Sequence, residues 1–312
     1  MQPVVVPRRS RFAALPLATA AAALAFAAAE AAERPGLISL ELPIGPRAVG
    51  MGNAYVSIAD DATAMYWNPA GLSRLGVADR HFEILFQHNE WISDFRQEYV
   101  GAGTRLGRHA LGGSFSGFYV NDLDGRDENG TPTLAFGVYD VVVTASYAFS
   151  LNDRAAVGGS GKYIVSSIED HNEFAFASDF GAQFEVAPEF RVGGAVTNLG
   201  KGLTFVREQD DLPTAVQVGG SYVLPQRLGN GSLLLALDVR KARGDDGHAL
   251  IGAEYDYQNL AQAQVGYGTG YDNNGINFGA GATVSGWRLN YAVVPFDNDL
   301  GATHRFSIGF RL

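Results

Sequence analysis

Residues 305–312 read Arg-Phe-Ser-Ile-Gly-Phe-Arg-Leu and place an apolar side chain at every second position. Alternation of this kind predicts a β-strand that has one apolar and one polar face. About fourteen segments from residue 81 onward follow the same period, namely 81–91, 95–106, 109–120, 137–150, 154–166, 174–186, 190–199, 214–224, 231–241, 248–258, 260–270, 275–285, 287–295 and 302–312. The chain is therefore predicted to be all-β.

The connections between these segments alternate in length. One set is tight, at 107–108, 152–153, 187–189, 258–259 and 285–286, and the other set includes longer acidic loops at 121–136, 167–173, 200–213 and 242–247. Tight turns at one end, longer loops at the other and strands of about ten residues are typical of an outer-membrane β-barrel. We therefore predict a transmembrane antiparallel barrel of about fourteen strands over residues 81–312.

A soluble β-sandwich also alternates, but two observations disfavour it. Aromatic residues recur near the strand ends, as the interface girdles of a membrane barrel do. The faces opposite the apolar stripes carry small residues and scattered charges of both signs, which suit a wet lumen: Lys162, Asp179, Asp238, Arg240, Arg288 and Arg305.

Composition excludes several other classes of protein. The formal net charge is -10, which argues against the basic surface that nucleic-acid binding requires. The chain has no cysteine, so a disulfide scaffold, a thiol nucleophile and a Cys-ligated zinc or iron–sulfur site are all excluded. After the first thirty residues, no stretch approaches the roughly 18 apolar residues of a transmembrane helix.

The N-terminus has the layout of a secretory signal peptide. Arg8, Arg9 and Arg11 precede an alanine-rich apolar run, and small residues follow it. A retained membrane anchor is the alternative, but the run is short for a span of about 20 residues. We predict that residues 1–32 are a signal peptide, cleaved near Ala29 or Ala32.

The segment that precedes the first predicted strand reads differently. Gly50 and Gly52 permit close approach of the backbone or a positive φ. Asp60 and Asp61 are placed to cap a short helix through backbone N–H groups.

Pro69 would end that helix, and it biases Asn68 towards an extended backbone. In that geometry the Asn68 amide is free to bond backbone groups of the barrel wall. The alternative is an ordinary turn that has no contact with a transported molecule.

Three ordered motifs lie in this segment: RAVGMGNAYV at 47–56, ADDATA at 59–64 and YWNPAGL at 66–72. Together they resemble the N-terminal signature of the PorV/PorQ-like family, which belongs to the wider superfamily of FadL-like (OMPP1/FadL/TodX) outer-membrane barrels. The resemblance implies a fourteen-stranded barrel whose N-terminal segment, residues 33–80, folds inward as a plug (hatch). It places the Asn68-Pro69-Ala70 motif inside the lumen, together with Arg47, Gly50, Gly52, Asp60 and Asp61.

Other motifs do not support a catalytic or metal site. The run Gly158–Lys162 lacks the first glycine of a phosphate-binding loop and is followed by Tyr163 instead of Ser or Thr. The acidic stretch 122–130 lacks the spacing of an EF-hand. Six histidines are scattered without metal-ligand spacing. We expect no enzymatic activity, no cofactor and no metal.

The resemblance and the pattern together suggest a transport role. We expect the protein to pass hydrophobic, fatty-acid-like molecules across the outer membrane around its plug, with outer-membrane lipid as its surroundings. Gly101 and Gly103 lie in a strand of weaker alternation and are candidates for a kink in the wall, because glycine within a strand often marks a bulge.

Two alternatives stay open. The first alternative to transport is a PorV/PorQ-like role in type IX secretion, in which the barrel would bind cargo or attachment proteins. The second is a purely structural outer-membrane protein. Neighbouring genes for that secretion machinery would favour the first alternative.

Overall fold

A computed structural model describes residues 36–76, 81–91, 95–125, 131–169, 171–205, 208–270, 275–296 and 301–312. These residues form a closed antiparallel barrel of fourteen strands, in which the first strand pairs with both the second and the last. The predicted fold class and strand number are thus confirmed. The predicted signal peptide lies outside the described residues.

The strands follow one another around the barrel in chain order. They are β1 (Phe82–Glu90), β2 (Arg96–Leu106), β3 (His109–Leu123), β4 (Phe136–Ser150), β5 (Ala155–Ile168), β6 (His171–Ala187), β7 (Phe190–Gly200), β10 (Ala215–Val223), β11 (Gly231–Ala242), β12 (His248–Tyr257), β13 (Ala261–Gly268), β14 (Ile276–Val284), β15 (Trp287–Pro295) and β16 (Ala302–Arg311). Two short strands, β8 (Leu203–Phe205) and β9 (Glu208–Asp210), form a separate hairpin between β7 and β10.

The outer face of the barrel is apolar, as the alternation requires. Large side chains such as Phe86, Leu237 and Ile251 are about half exposed on the isolated chain. Trp287 packs against Phe310 near one rim, with ring centres 4.7 Å apart. In a membrane every backbone group must be paired internally, and a closed barrel achieves this with strands. The protein is therefore an integral barrel of the bacterial outer membrane, with its short turns on the periplasmic side.

The wall is not equally tall around its circumference. Strands β3 to β6 have 14 to 17 residues, whereas β10 to β16 have 8 to 12. The loop expected at 167–173 is consequently much shorter, because β5 and β6 continue their alternation through most of it. The loop expected at 200–213 contains the β8–β9 hairpin.

Residues 36–76 fold inside the barrel and form its core. They contain two 3-10 helices, η1 (Ile38–Glu41) and η2 (Pro69–Arg74), and two short α-helices, α1 (Pro46–Gly50) and α2 (Ala64–Trp67). Their apolar side chains pack with inward-facing wall residues: Ile44, Met51, Tyr55, Met65, Trp67, Leu72 and Leu75 with Leu85, Tyr99 and Leu250. No helix among the described residues is long and apolar enough to cross a membrane.

Candidate functional site

Arg47 joins the plug to one side of the wall. It lies in α1, and its guanidinium donates to Glu254 of β12 through two bonds, Nε to Oε2 at 2.7 Å and Nη2 to Oε1 at 2.8 Å. The third nitrogen donates to Asp60 at 2.9 Å and to the Tyr55 hydroxyl at 3.2 Å. A bidentate arginine–carboxylate pair is among the strongest of protein hydrogen-bonded contacts.

The two adjacent aspartates have different partners. Asp60 pairs with Arg47, and although burial raises the pKa of Asp60, the positive charges of Arg47, Arg311 and Arg288 lower it to about 2. Asp61 accepts from the backbone N–H of Thr63 at 2.9 Å, one residue before α2, and from the Thr63 hydroxyl at 2.5 Å. Asp61 therefore organises the start of the helix. It also accepts from the Tyr55 hydroxyl at 3.1 Å and lies 3.6 Å from the Arg288 guanidinium, so both aspartates belong to the ion-pair network of the plug.

Asn68 joins the plug to another part of the wall, which β10 and β11 separate from β12. Its backbone is extended, with φ -164°, and its side chain is fully buried. The amide nitrogen donates to Val56 O at 2.8 Å and to Ala182 O of β6 at 3.0 Å, and Gly194 O of β7 lies 3.4 Å away. The amide oxygen accepts from Ala70 N at 3.2 Å. Buried polar groups need such partners, so this one side chain fixes the Asn68-Pro69-Ala70 turn against two strands.

Inward-facing glycines of the wall leave room for the plug backbone. A Cβ atom at Gly181 would overlap the Asn68 amide oxygen, and a Cβ at Gly158 would lie 2.5 Å from Ala70 N. On the other side, a Cβ at Gly266 would overlap Gly52 N, where Gly52 has a φ of 63°. Gly50 is helical and lies against Gly279. Wall and plug glycines thus meet where the two backbones touch.

Gly101 and Gly103 do not mark a kink in the pairing. Strand β2 pairs with β1 and β3 over its length without a shift in register. The register shifts among the described strands lie between β3 and β4 and between β6 and β7. A Cβ at Gly103 would lie 2.6 Å from Leu75 Cδ1 of the plug, so this glycine also serves close packing in the lumen.

A cavity of about 230 Å³ opens on the extracellular side of the plug. We call it the vestibule. Side chains of the plug and of the wall line it, and half of them are apolar or aromatic: Leu40, Leu42, Pro43, Val49, Tyr66, Trp67, Trp91, Ala215, Val294 and Phe296. The other half are polar or charged: Glu41, Asn53, Lys162, Thr197, Asn198, Gln217, Arg240, Asp245, Asn277 and Arg305.

Arg305 of β16 also lines the vestibule and is only 2% exposed. Its guanidinium carbon lies 4.4 Å from the centre of the Trp91 ring. Among the described residues, neither Nε nor Nη1 of Arg305 has a hydrogen-bond partner, and the Trp91 indole N–H has none either. The N–H groups of Arg305 and Trp91 therefore line this cavity without a hydrogen-bond acceptor in the described part of the chain.

Two other cations of the vestibule are paired within the protein. Lys162 lies 2.8 Å from the Asp179 carboxylate and donates to Asn198 at 2.7 Å. Arg240 lies 2.9 Å from Glu41 of the plug. The sequence predicts that all three cations, Lys162, Arg240 and Arg305, face the lumen. It does not show that Arg305 lacks a carboxylate partner within the described ranges, because strand alternation carries no information on which charges meet across the lumen. Among the described residues, no group of three or more His, Asp or Glu side chains could hold a metal ion.

Comparisons with known proteins give a family and a fold. The sequence model of an uncharacterised protein family, UPF0164, matches residues 13–220, more than half of the chain. No curated protein sequence matches. The P. putida toluene transporter TodX is similar in structure, with a TM-score of 0.63 at 12% identity, covering 86% of this chain and 96% of TodX. The monoaromatic hydrocarbon channel CymD has a TM-score of 0.60 at 13% identity, covering 89% of this chain and 98% of CymD.

At these identities the likeness establishes a shared barrel fold. This is the barrel fold that the resemblance to the FadL-like superfamily implies. The narrower PorV/PorQ-like assignment stays a prediction, since the family model that matches is that of UPF0164.

Proposed function

The chain belongs to the uncharacterised protein family UPF0164, and we propose that it carries hydrophobic, fatty-acid-like molecules across the outer membrane past its plug. The observation that carries the proposal is the vestibule, where the unpaired N–H groups of Arg305 lie in a lining that is half apolar and aromatic. An apolar chain with one carboxylate is complementary to this arrangement. The carboxylate would accept from the guanidinium, which is a charge-assisted hydrogen bond.

Two structural neighbours support the hydrophobic part of the proposal. TodX is a toluene transporter and CymD is a monoaromatic hydrocarbon channel, so the same barrel fold serves apolar substrates in both. A fold alone does not determine function. The preference for an acid over a neutral hydrocarbon comes from Arg305 of this chain and not from the comparison.

The plug fills the lumen below the vestibule, so a bound molecule has no straight path to the periplasm. We propose that it leaves through the wall at the β6–β7 boundary. There the register shifts between Ser178 and Phe180, and Asn198 has a φ of 59°. Thr197 and Asn198, on the inner side of this irregularity, line the vestibule. A sideways exit would deliver an apolar molecule to the bilayer without an open water pore.

Ligand binding to the purified protein tests the role of Arg305. Decanoic acid and decanol have equal chain lengths and differ in the charged head group. The intact protein should bind decanoate at least about tenfold more tightly than decanol, since a hydrogen bond to a charged group contributes about 1.5–3 kcal/mol. Arg305→Gln should lose this preference and keep its affinity for decanol.

A matched control is Arg240→Gln, which removes a cation of the same cavity that Glu41 already pairs. Its preference for decanoate should persist. Equal affinities for acid and alcohol in the intact protein would contradict the proposal.

The alternative, a PorV/PorQ-like role in type IX secretion, is favoured by the signature at residues 47–72. A pull-down of the native protein from outer membranes in mild detergent, followed by mass spectrometry of proteins and lipids, separates the two functions. Stoichiometric protein partners with secretion-related sorting domains would favour secretion. A lone barrel that carries a fatty acid would favour transport.

A further inference from the structure

A second cavity, of about 510 Å³, lies at the periplasmic end of the barrel. It is bounded by the end of the plug, at Ser73 and Arg74, and by the turns between β2 and β3 and between β4 and β5. Four arginines line it: Arg74, Arg105, Arg108 and Arg154. We call it the arginine pocket. It is separate from the vestibule, which lies on the other side of the plug.

The positive charge of the arginine pocket is poorly compensated. Asp153 is the one carboxylate among the described residues that line it. Arg105 donates from Nε to Gly107 O at 3.1 Å, and Arg108 donates from Nε to Ser150 O at 2.8 Å and from Nη2 to Leu151 O, which, among the described residues, leaves Nη1 of Arg108 for a ligand. Arg74 donates from Nε to Gln183 Oε1 at 2.9 Å. These oxygens hold the guanidinium groups in place but carry no net charge. Such a concentration of arginine contrasts with the net charge of -10 of the whole chain.

Arg74 is the buried member of the arginine pocket. Burial lowers the pKa of Arg74 to about 10, the positive charges of Arg191 and Arg105 lower it as well, and the carboxylates of Glu185 and Asp60 raise it. The nearest carboxylate, Glu185, is 3.8 Å away. An anion in the pocket would relieve the repulsion among these arginines.

The arginine pocket also reaches the membrane-facing surface. The Arg108 guanidinium carbon lies 5.0 Å from the centre of the Phe149 ring, which points outward from β4. Leu106 and Leu151, on either side, are 60% and 48% exposed. Apolar side chains that end at a row of cations match the boundary between the acyl chains and the head groups of a lipid leaflet.

We propose that the arginine pocket binds the phosphate group of an anionic phospholipid from the periplasmic leaflet. Arginine presents a planar fork that matches phosphate oxygens bidentately. The acyl chains would lie along the outward-facing Leu106 and Phe149. Because Arg74 belongs to the plug and Arg108 to the wall, the bound phosphate would link the two.

Native mass spectrometry of the full-length protein in a neutral detergent tests this site. The probes are phosphatidylglycerol, phosphatidylcholine of the same acyl chains, and soluble glycerol 3-phosphate. The protein should bind phosphatidylglycerol at least about tenfold more tightly than phosphatidylcholine, whose quaternary ammonium the arginines repel. Arg105→Gln with Arg108→Gln should abolish this preference.

The matched control is Arg227→Gln, which removes an exposed arginine from another periplasmic turn. It should bind phosphatidylglycerol as the unmodified protein does. If the double variant does not show the gel shift of a folded barrel, Arg108→Gln alone replaces it. This single variant should weaken phosphatidylglycerol binding several-fold. Equal binding of the two lipids, or unchanged binding by Arg108→Gln, would overturn the proposal. Glycerol 3-phosphate binding as tightly as phosphatidylglycerol would identify a soluble phosphate ester as the ligand and would also overturn it.

Discussion

The plug is held at two patches of the wall, which are separated by β10 and β11, and the two patches use different kinds of interaction. At the Asn68 patch, neutral hydrogen bonds to β6 and β7 are combined with glycines that let the backbones touch. At the Arg47 patch, an ion-pair network joins α1 to Glu254 of β12 and to Asp60. The first patch depends on shape and the second on charge. A change of side-chain volume should therefore disrupt the first, and a change of charge or pH the second.

Gly181→Val should give the largest loss of stability. Its Cβ would overlap the Asn68 amide oxygen, so the variant combines overpacking with the loss of buried hydrogen bonds. Each effect is worth roughly 1–3 kcal/mol, and we expect a decrease of about 4 kcal/mol in the free energy of unfolding. Urea unfolding in lipid vesicles measures it, and limited proteolysis should detect a released plug.

Gly161→Val is the matched control for this variant. Gly161 lies in the neighbouring strand β5, and a Cβ there meets nothing within 4 Å. Its unfolding free energy should stay within about 0.5 kcal/mol of the unmodified protein. Similar losses in both variants would show that a valine in these strands is harmful in itself, and the role of the Asn68 patch would be wrong.

Glu254→Leu should have the next largest effect, because it leaves the Arg47 guanidinium without its bidentate partner. Breaking a buried ion pair from one side costs about 3 kcal/mol or more, whereas replacing both partners with apolar side chains is often close to neutral. Adding Arg47→Met to Glu254→Leu should therefore restore at least half of the lost unfolding free energy. An additive double variant would show that charge is not what holds this patch.

The pH dependence of the Arg47 patch should be the smallest effect. The pKa of Asp60 in the folded protein is about 2, below its ordinary value of 3.8. The ionised carboxylate therefore stabilises the folded state fully above about pH 4, and this contribution is lost as the pH falls towards 2. The side chain is one third exposed, so solvent screens the interaction. The stability difference between the intact protein and Asp60→Asn should shrink from pH 5 to pH 2. A constant difference over this range would contradict the assignment.

Much of the fold follows from local pattern, but the wall partners of the plug residues do not. The alternation in residues 302–312 and in the other thirteen segments predicts where the strands lie and which side chains face outward. It also predicts a barrel, because each side chain of such a strand must face either lipid or lumen. The contact between Gly181 and Asn68 joins residues far apart in sequence, and no local rule predicts it.

The pairing of β2 with its neighbours, and of β5 with β6, is more regular than the sequence suggests. Glycine in a strand was interpreted as a bend, whereas Gly101 and Gly103 face the lumen of a regular strand and Gly103 lies against the plug. Residues 167–173 were expected to form a loop, but the pairing of Ile168 with His171 extends both strands into this segment. The sequence predicts that Arg305 faces the lumen, but only the structure shows that its Nε and Nη1 have no hydrogen-bond partner among the described residues.

Uptake into intact bacterial cells tests the central claim most directly, because lipopolysaccharide keeps apolar solutes from crossing the outer membrane unaided. Radiolabelled decanoate would be supplied to cells that lack their own fatty-acid channel and that express equal amounts of the protein or of Arg305→Gln. The protein should raise the uptake rate several-fold above cells without it, and Arg305→Gln should lose most of that gain. Uptake no faster than in cells that lack the protein would contradict transport of fatty-acid-like molecules by this barrel.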